Sequence, residues 1–286
     1  MNVLNWKSTK EVLADKNYLA LKLLLIFITV YLISTGMDHK RVKLPLLCIG
    51  LFLIVFFVKN LRQPLLWYIF LTILISDLIC DYFVRANHHF LLIYITILVI
   101  IFLHNGQYED FITNIKLLAV IVLLFSGIQK LVSPQFVSGD FYYYMINTGS
   151  FFKPLLYFNP EMKQIVAHNH AQISELALLD PNTSKIVTFQ NVLPNLAIIS
   201  HIFAWFTIII EMGTAILIFL KPKHLVTHAL FISLILGIFL TRLENGFLTL
   251  LAISGIWLSE HTRIRAIYSV LAIVFITLII INIGFY

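Results

Sequence analysis

Charge is what this chain has least of. Asp, Glu, Lys and Arg make up 12% of its 286 residues, against 60% that are hydrophobic, whereas a soluble domain carries about 25% charged and about 45–50% apolar residues. A water-soluble fold is excluded, and a mean hydropathy of +0.92 points to an integral membrane protein. Cysteine is nearly absent as well: Cys48 and Cys80 are the only two. Both lie inside hydrophobic runs, with no CxxC or Cys/His metal spacing, so two buried thiols are expected. The chain lacks a glycine-rich phosphate loop, a Gly-x-Ser-x-Gly elbow and a His-Glu-x-x-His pattern, the common marks of nucleotide, hydrolase and zinc-peptidase chemistry. Internal repeats and low-complexity tracts are missing too. Residues 1–17 are polar, with Lys7, Lys10 and Lys16, and no small-residue cleavage site follows an early apolar core. The first span is therefore expected to remain as an anchor.

What is present is a series of apolar runs, at 18–36, 44–58, 64–84, 90–104, 114–132, 196–220, 224–242, 246–259 and 264–285. A membrane-crossing helix needs about 20 such residues, and the shorter runs must sit in protein or borrow polar neighbours. The pattern predicts an all-α, polytopic transmembrane helix bundle of about nine spans, a single domain over 1–286. The formal charge of +6 comes from Lys and Arg placed between runs. They set orientation, and nucleic acid is not a partner; the lipid bilayer is. Counting positive residues places the N-terminus in the cytoplasm, a bacterial inner membrane being the setting expected.

Residues 133–195 form the one long non-spanning stretch, expected outside. Eight aromatic residues lie between Phe141 and Phe158, which suits the headgroup boundary. One or two short interfacial helices, broken near Gly149 and Pro154, are expected there, with a short β-ribbon or extended piece at Lys185–Gln190.

Threading nine spans sorts the ionisable residues by depth. Asp77 and Asp81 fall one helical turn apart toward the outer end of span three. Lys130 lies at the outer end of span five, His201 at the outer start of span six, and Arg242, Glu244 and Asn245 in the outer turn after span seven, with Glu211 deeper. A charge in a bilayer needs a counter-charge or water, so Lys130 and Arg242 with Asp77, Asp81, Glu211 and Glu244 are expected to share an outward-facing polar cavity. Plainer roles suit the same residues: Lys130 and Arg242 as snorkelling cations, the aspartates as a structural ion pair, His201 and His228 as interhelical hydrogen-bonding groups. His88-His89 and His168-x-His170 have metal-like spacing but are placed in solvated loops, and no metal site is expected.

The segment Phe125-Ser-Gly-Ile-Gln-Lys130-Leu, followed by Ser-Gly139, resembles the HTTM group of membrane proteins, which includes the vitamin K-dependent γ-glutamyl carboxylases. A weaker likeness exists to DoxX-type quinone-associated proteins. The resemblance implies that Lys130 is a base toward a reduced, quinone-like molecule, which burial would have to tune toward neutrality. This chain lacks the large soluble region that follows the membrane part of the carboxylases. Three functions follow: a membrane enzyme acting on a lipid-soluble, quinone-like substrate; a non-catalytic partner in maturation, export or immunity of a secreted peptide; and a small-solute or proton transporter, which the lack of repeats disfavours.

Overall fold

Hydrocarbon offers the backbone no water, so a chain this apolar must close its hydrogen bonds inside helices. The computed structural model describes residues 9–35, 61–80, 82–83, 87–180, 182, 184, 186–281 and 283, and every regular element among them is helical. The helices are α1 (Thr9–Ala14), α2 (Lys16–Thr35), α3 (Pro64–Cys80), α4 (Asn87–Asn105) and α5 (Tyr108–Leu131). Four shorter or more polar ones follow, α6 (Pro134–Val137), α7 (Asp140–Asn147), α8 (Lys153–Phe158) and α9 (Pro160–Ala177). The chain then returns to the bundle as α10 (Leu196–Leu220), α11 (Leu225–Arg242), α12 (Asn245–Leu258) and α13 (Thr262–Ile280).

Six of these, α2, α4, α5, α10, α11 and α13, are long and apolar enough to cross a membrane, and α3 and α12 are shorter apolar helices. The chain is a multi-pass membrane protein. The expected span at 44–58 lies outside the described residues, as does Cys48; Cys80, expected to be buried, is exposed at the end of α3.

The short helix α12 is the hub. Its 14 residues cover about 21 Å at a rise of 1.5 Å each, less than the roughly 30 Å of hydrocarbon. It needs no match to the lipid because α2, α4, α5, α11 and α13 surround it, and all of it except Phe247 is buried. Buried hydroxyls are satisfied by their own helices: Thr249 donates to the Asn245 carbonyl at 2.7 Å and Ser254 to Leu250 at 2.8 Å, as do Thr29 and Thr96 in α2 and α4. At one end of the bundle, Lys16 and Lys223 converge on Glu260 at 3.0 and 3.4 Å. Burial opposes ionisation of Glu260, but the two ammonium groups outweigh it and hold the carboxyl below its ordinary range.

At the other end, α6 to α9 fold over α10. The break between α7 and α8 falls at Gly149, where φ is +64°, as expected, whereas Pro154 lies in the first turn of α8, a position that needs no amide hydrogen. The 18-residue helix α9 was not anticipated. Its start is written locally: the Asn159 side chain accepts from the amides of Glu161 and Met162, both at 3.1 Å, and Pro160 takes the first helical position. Of the two forms expected at 185–190, a β-ribbon or an extended piece, no strand is present among the described residues. Lys185 lies outside the described residues, and residues 186–190 are neither helix nor strand. The Gln190 backbone is claimed by a side chain instead: the fully buried Asn169 of α9 donates to the Asn147 and Gln190 carbonyls, both at 2.9 Å, and accepts from the Gln190 amide at 3.0 Å.

Asn169→Ala leaves those buried groups unpaired, at about 1–3 kcal/mol. The segment 186–192 should then be cleaved about 5- to 150-fold faster in limited proteolysis, with the transmembrane helices still resistant. Unchanged cleavage would mean that the segment is held by something other than Asn169.

Candidate functional site

The site begins with a close approach of two helices. α5 and α10 pack as extensively as any described pair, and Gly127 lies in that contact: a Cβ there would lie 2.6 Å from Cγ of Met212. One turn beyond Gly127, the Lys130 side chain crosses to α10. Its Nζ donates to both oxygens of Glu211, at 2.7 and 2.6 Å, and to Oγ of Ser126 at 2.6 Å. The lysine side chain is 17% exposed and the glutamate 5%, so water contributes little to either charge. Nζ also lies 5.8 Å from the centroid of the Phe136 ring, within cation–π range.

A second backbone contact fixes the turn after the lysine. Gly139 has φ +87°, and a Cβ on it would meet the His201 amide nitrogen at 2.7 Å. Backbone lies on backbone there, and only glycine fits. His201 itself is exposed and pairs through Nδ1 with the Ser138 carbonyl at 3.3 Å, a role in holding the turn.

Above the ion pair, α7 supplies Tyr142, whose hydroxyl is 2.6 Å from Oγ1 of Thr207. Burial pushes the Tyr142 phenol above its ordinary range. The Thr207 hydrogen bond and the Arg242 charge pull the other way, while the Glu211 charge adds to the rise. The rings of Phe136, Phe141 and Phe151 surround Tyr142 edge-on at 5.4–6.0 Å. Together these groups wall a cavity of about 260 Å³ between α10 and α11, with Lys130, Glu211, Arg242 and Glu244 on its lining. Arg242 and Glu244 form their own pair at 2.7 Å, with the guanidinium 5.9 Å from the Phe151 ring centroid. The turn that carries them bends through Leu243 at φ +53°.

The structure thus brings Lys130, Glu211, Arg242 and Glu244 to one cavity and sends Asp77 elsewhere. Asp77 is fully buried on α3, with Oδ2 3.9 Å from Nδ1 of His89. That histidine pairs with the Tyr31 hydroxyl and the Leu74 carbonyl, each at 3.0 Å. Position along the spans groups residues by depth, but depth says nothing of rotation about the bundle axis, and α3 and α4 pack on each other away from α10. Asp81 lies outside the described residues. His88 and His89 are in the first turn of α4, His89 buried, and not in a solvated loop. His228 pairs with the Tyr268 hydroxyl at 3.2 Å. Among the described residues no group of three or more His, Cys, Asp or Glu is placed to hold a metal.

Ser126, Tyr142 and Thr207 were missed. Two of them carry a sequence signal: Ser126 precedes Lys130 by four residues and Thr207 precedes Glu211 by four, the spacing that puts side chains on one helix face. Tyr142 carries none, since three consecutive tyrosines give no hint of which one turns inward.

Removing one partner of a buried ion pair strands the other charge, at about 3–5 kcal/mol, whereas replacing both with apolar residues is often neutral. Glu211→Leu should therefore lower the melting midpoint in detergent sharply, and Lys130→Met combined with Glu211→Leu should restore most of it. A double variant no more stable than Glu211→Leu alone would show that the pair is not what Glu211 contributes.

The chain matches no known protein family, no curated protein and no solved structure. What the cavity does must follow from its own residues.

Proposed function

We propose that this is a membrane enzyme of the HTTM type, in which Lys130 acts as a base on a lipid-soluble, quinone-like molecule held in the aromatic cavity. The observation that carries this reading is a largely buried lysine–glutamate pair, 2.6 Å apart, on the wall of a mostly apolar cavity rich in phenyl rings. A pair serving stability alone would be sealed into packing; this one faces open space. Ligand sites have this make-up, mostly apolar with a few convergent polar groups.

The chemistry needs two protons to move, once each. The Lys130 ammonium passes a proton to the Glu211 carboxylate along the existing hydrogen bond, leaving an amine beside a carboxylic acid. The amine then accepts the proton of a weakly acidic hydroxyl on the bound molecule. Lys130 is again an ammonium, now facing the oxygen it has deprotonated, with the Tyr142 hydroxyl and Arg242 guanidinium on the same lining as further donors. Ser126 holds Nζ on the cavity side of α5 throughout.

Arginine keeps the charge and reach of Lys130 but cannot serve as a base at neutral pH. In lipid nanodiscs without oxygen, the wild-type protein should red-shift the absorption of a reduced naphthoquinone as its hydroxyl ionises. Lys130→Arg and Lys130→Ala should lose the shift at least tenfold, with Lys130→Arg still folded. Full activity in Lys130→Arg would remove the base assignment and turn attention to residues 133–195 as a surface for a secreted peptide.

The orientation that goes with this reading has the N-terminus in the cytoplasm of a bacterial inner membrane and residues 133–195 outside. Asn182→Cys, in a chain with Cys48 and Cys80 replaced by serine, should react with a membrane-impermeant maleimide on intact cells. Reaction only after permeabilisation would reverse the topology.

A further inference from the structure

Helices α10 and α11 are joined by a tight turn at residues 221–224, and the cavity lies between them at the end far from that turn. Several residues that line the cavity are also exposed on the outer surface of the bundle: Phe206 on α10, and Ser233, Gly237 and Leu240 on α11. Phe206 is 58% exposed and Leu240 55%. With a rise of 1.5 Å per residue, Gly237 and Ser233 lie about 7.5 and about 13.5 Å along α11 from Arg242. This face therefore opens at the depth of hydrocarbon and not of water.

Gly237 is the informative residue. It sits inside an apolar helix, where glycine is less stable than alanine. Glycine in membrane helices usually lets another helix come close, but a Cβ on Gly237 would meet nothing within 4 Å. By contrast, Gly127 and Gly139 would collide at once with Met212 and His201. Among the described residues no neighbour requires Gly237, so the space beside it is open to something that is not protein.

We propose that the cavity is reached sideways from the bilayer, between α10 and α11, by an amphiphile whose apolar chain lies against Gly237 and passes out between Phe206 and Leu240. This rests on the reading that the Lys130 cavity takes a lipid-soluble molecule, and it adds the route, the need for a flexible chain and the residue that sets how thick that chain can be. The polar head of such a molecule, drawn in along this crevice, ends beside the only charges on the lining, the Lys130–Glu211 and Arg242–Glu244 pairs.

The test uses the full chain in phosphatidylcholine vesicles and a phenol with a ten-carbon chain carrying a diazirine at mid-chain. After irradiation, adducts should concentrate on residues 206–210 and 233–240 and be competed by unlabelled decylphenol. Gly237→Phe should cut them at least tenfold and Gly237→Leu by less, with Gly237→Ala near wild type. Because the space at Gly237 is open, these variants should elute and melt like the wild type. If Gly237→Phe nevertheless fails to fold, Leu240→Trp on the exposed edge should give the same loss. Adducts that concentrate on residues 141–158, that spread evenly over the lipid-facing helices, or that ignore Gly237→Phe would overturn the side entrance. Adducts that keep their place and their dependence on Gly237, while Lys130→Arg still gives the full naphthoquinone shift, would support the entrance and sink the base assignment, so the two readings fail separately.

Discussion

Hydrocarbon supplies no hydrogen-bond partner and no counter-charge, and almost every feature of this protein answers to that. Backbone groups close on themselves in helices. Buried hydroxyls of Thr29, Thr96, Thr249 and Ser254 turn back to carbonyls of their own helices. A charge has no such local remedy. Lys130 is stable where it lies only because Glu211, eighty-one residues later, delivers a carboxylate to the same point, and that delivery depends on how closely α5 and α10 approach. Gly127 permits the approach, and Gly139 lets the following turn lie directly on the α10 backbone. The ion pair, the helix contact and the outer turn are one device.

The bundle separates two kinds of buried polarity. On the side of α2, α3 and α4, Tyr31, Asp77 and His89 form a compact cluster in which the histidine uses both ring nitrogens on protein partners. Packing closes around it. On the side of α10 and α11, the polar groups instead rim a space. The difference follows from what lies next to each: α4 packs on α3 and on the hub α12, while the space beside α10 and α11 is walled by aromatic residues between Phe136 and Phe152. Phe152 shows how tightly that cover is set, with φ +55° and its amide on the Thr241 carbonyl at 3.1 Å.

Much of the fold was legible in the sequence because apolar runs bounded by charge translate almost directly into membrane helices. The helices α2, α10 and α11 begin and end within two residues of the expected runs. The shortness of α12 was visible, but not that it would be the buried centre, since an apolar run facing protein and one facing lipid look alike when lipid is as apolar as leucine. The helix α9 was hidden by its polarity: solvated helices lack the long apolar signal, and only the Asn159-Pro160-Glu161 start betrayed it. For the site, depth could be read from position along each span, which grouped Lys130, Glu211, Arg242 and Glu244. Azimuth could not, because rotation about the bundle axis depends on which helices pair. Asp77, grouped by depth with that cavity, lies beside His89 instead.

Lys130 stands between two opposed demands. To exist in a bilayer its ammonium must have Glu211; to act as a base it must be rid of a proton. An arrangement with the carboxylate farther away would satisfy neither, since the charge would be unsupported and the proton would have nowhere to go. In the proposed reaction the same hydrogen bond, at 2.6 Å, serves both, holding the ion pair and carrying the proton. The aromatic lining matters to that exchange. A charge in such a wall is costly unless it is paired, so the proposed exchange has to run along the Lys130–Glu211 contact and not through open space.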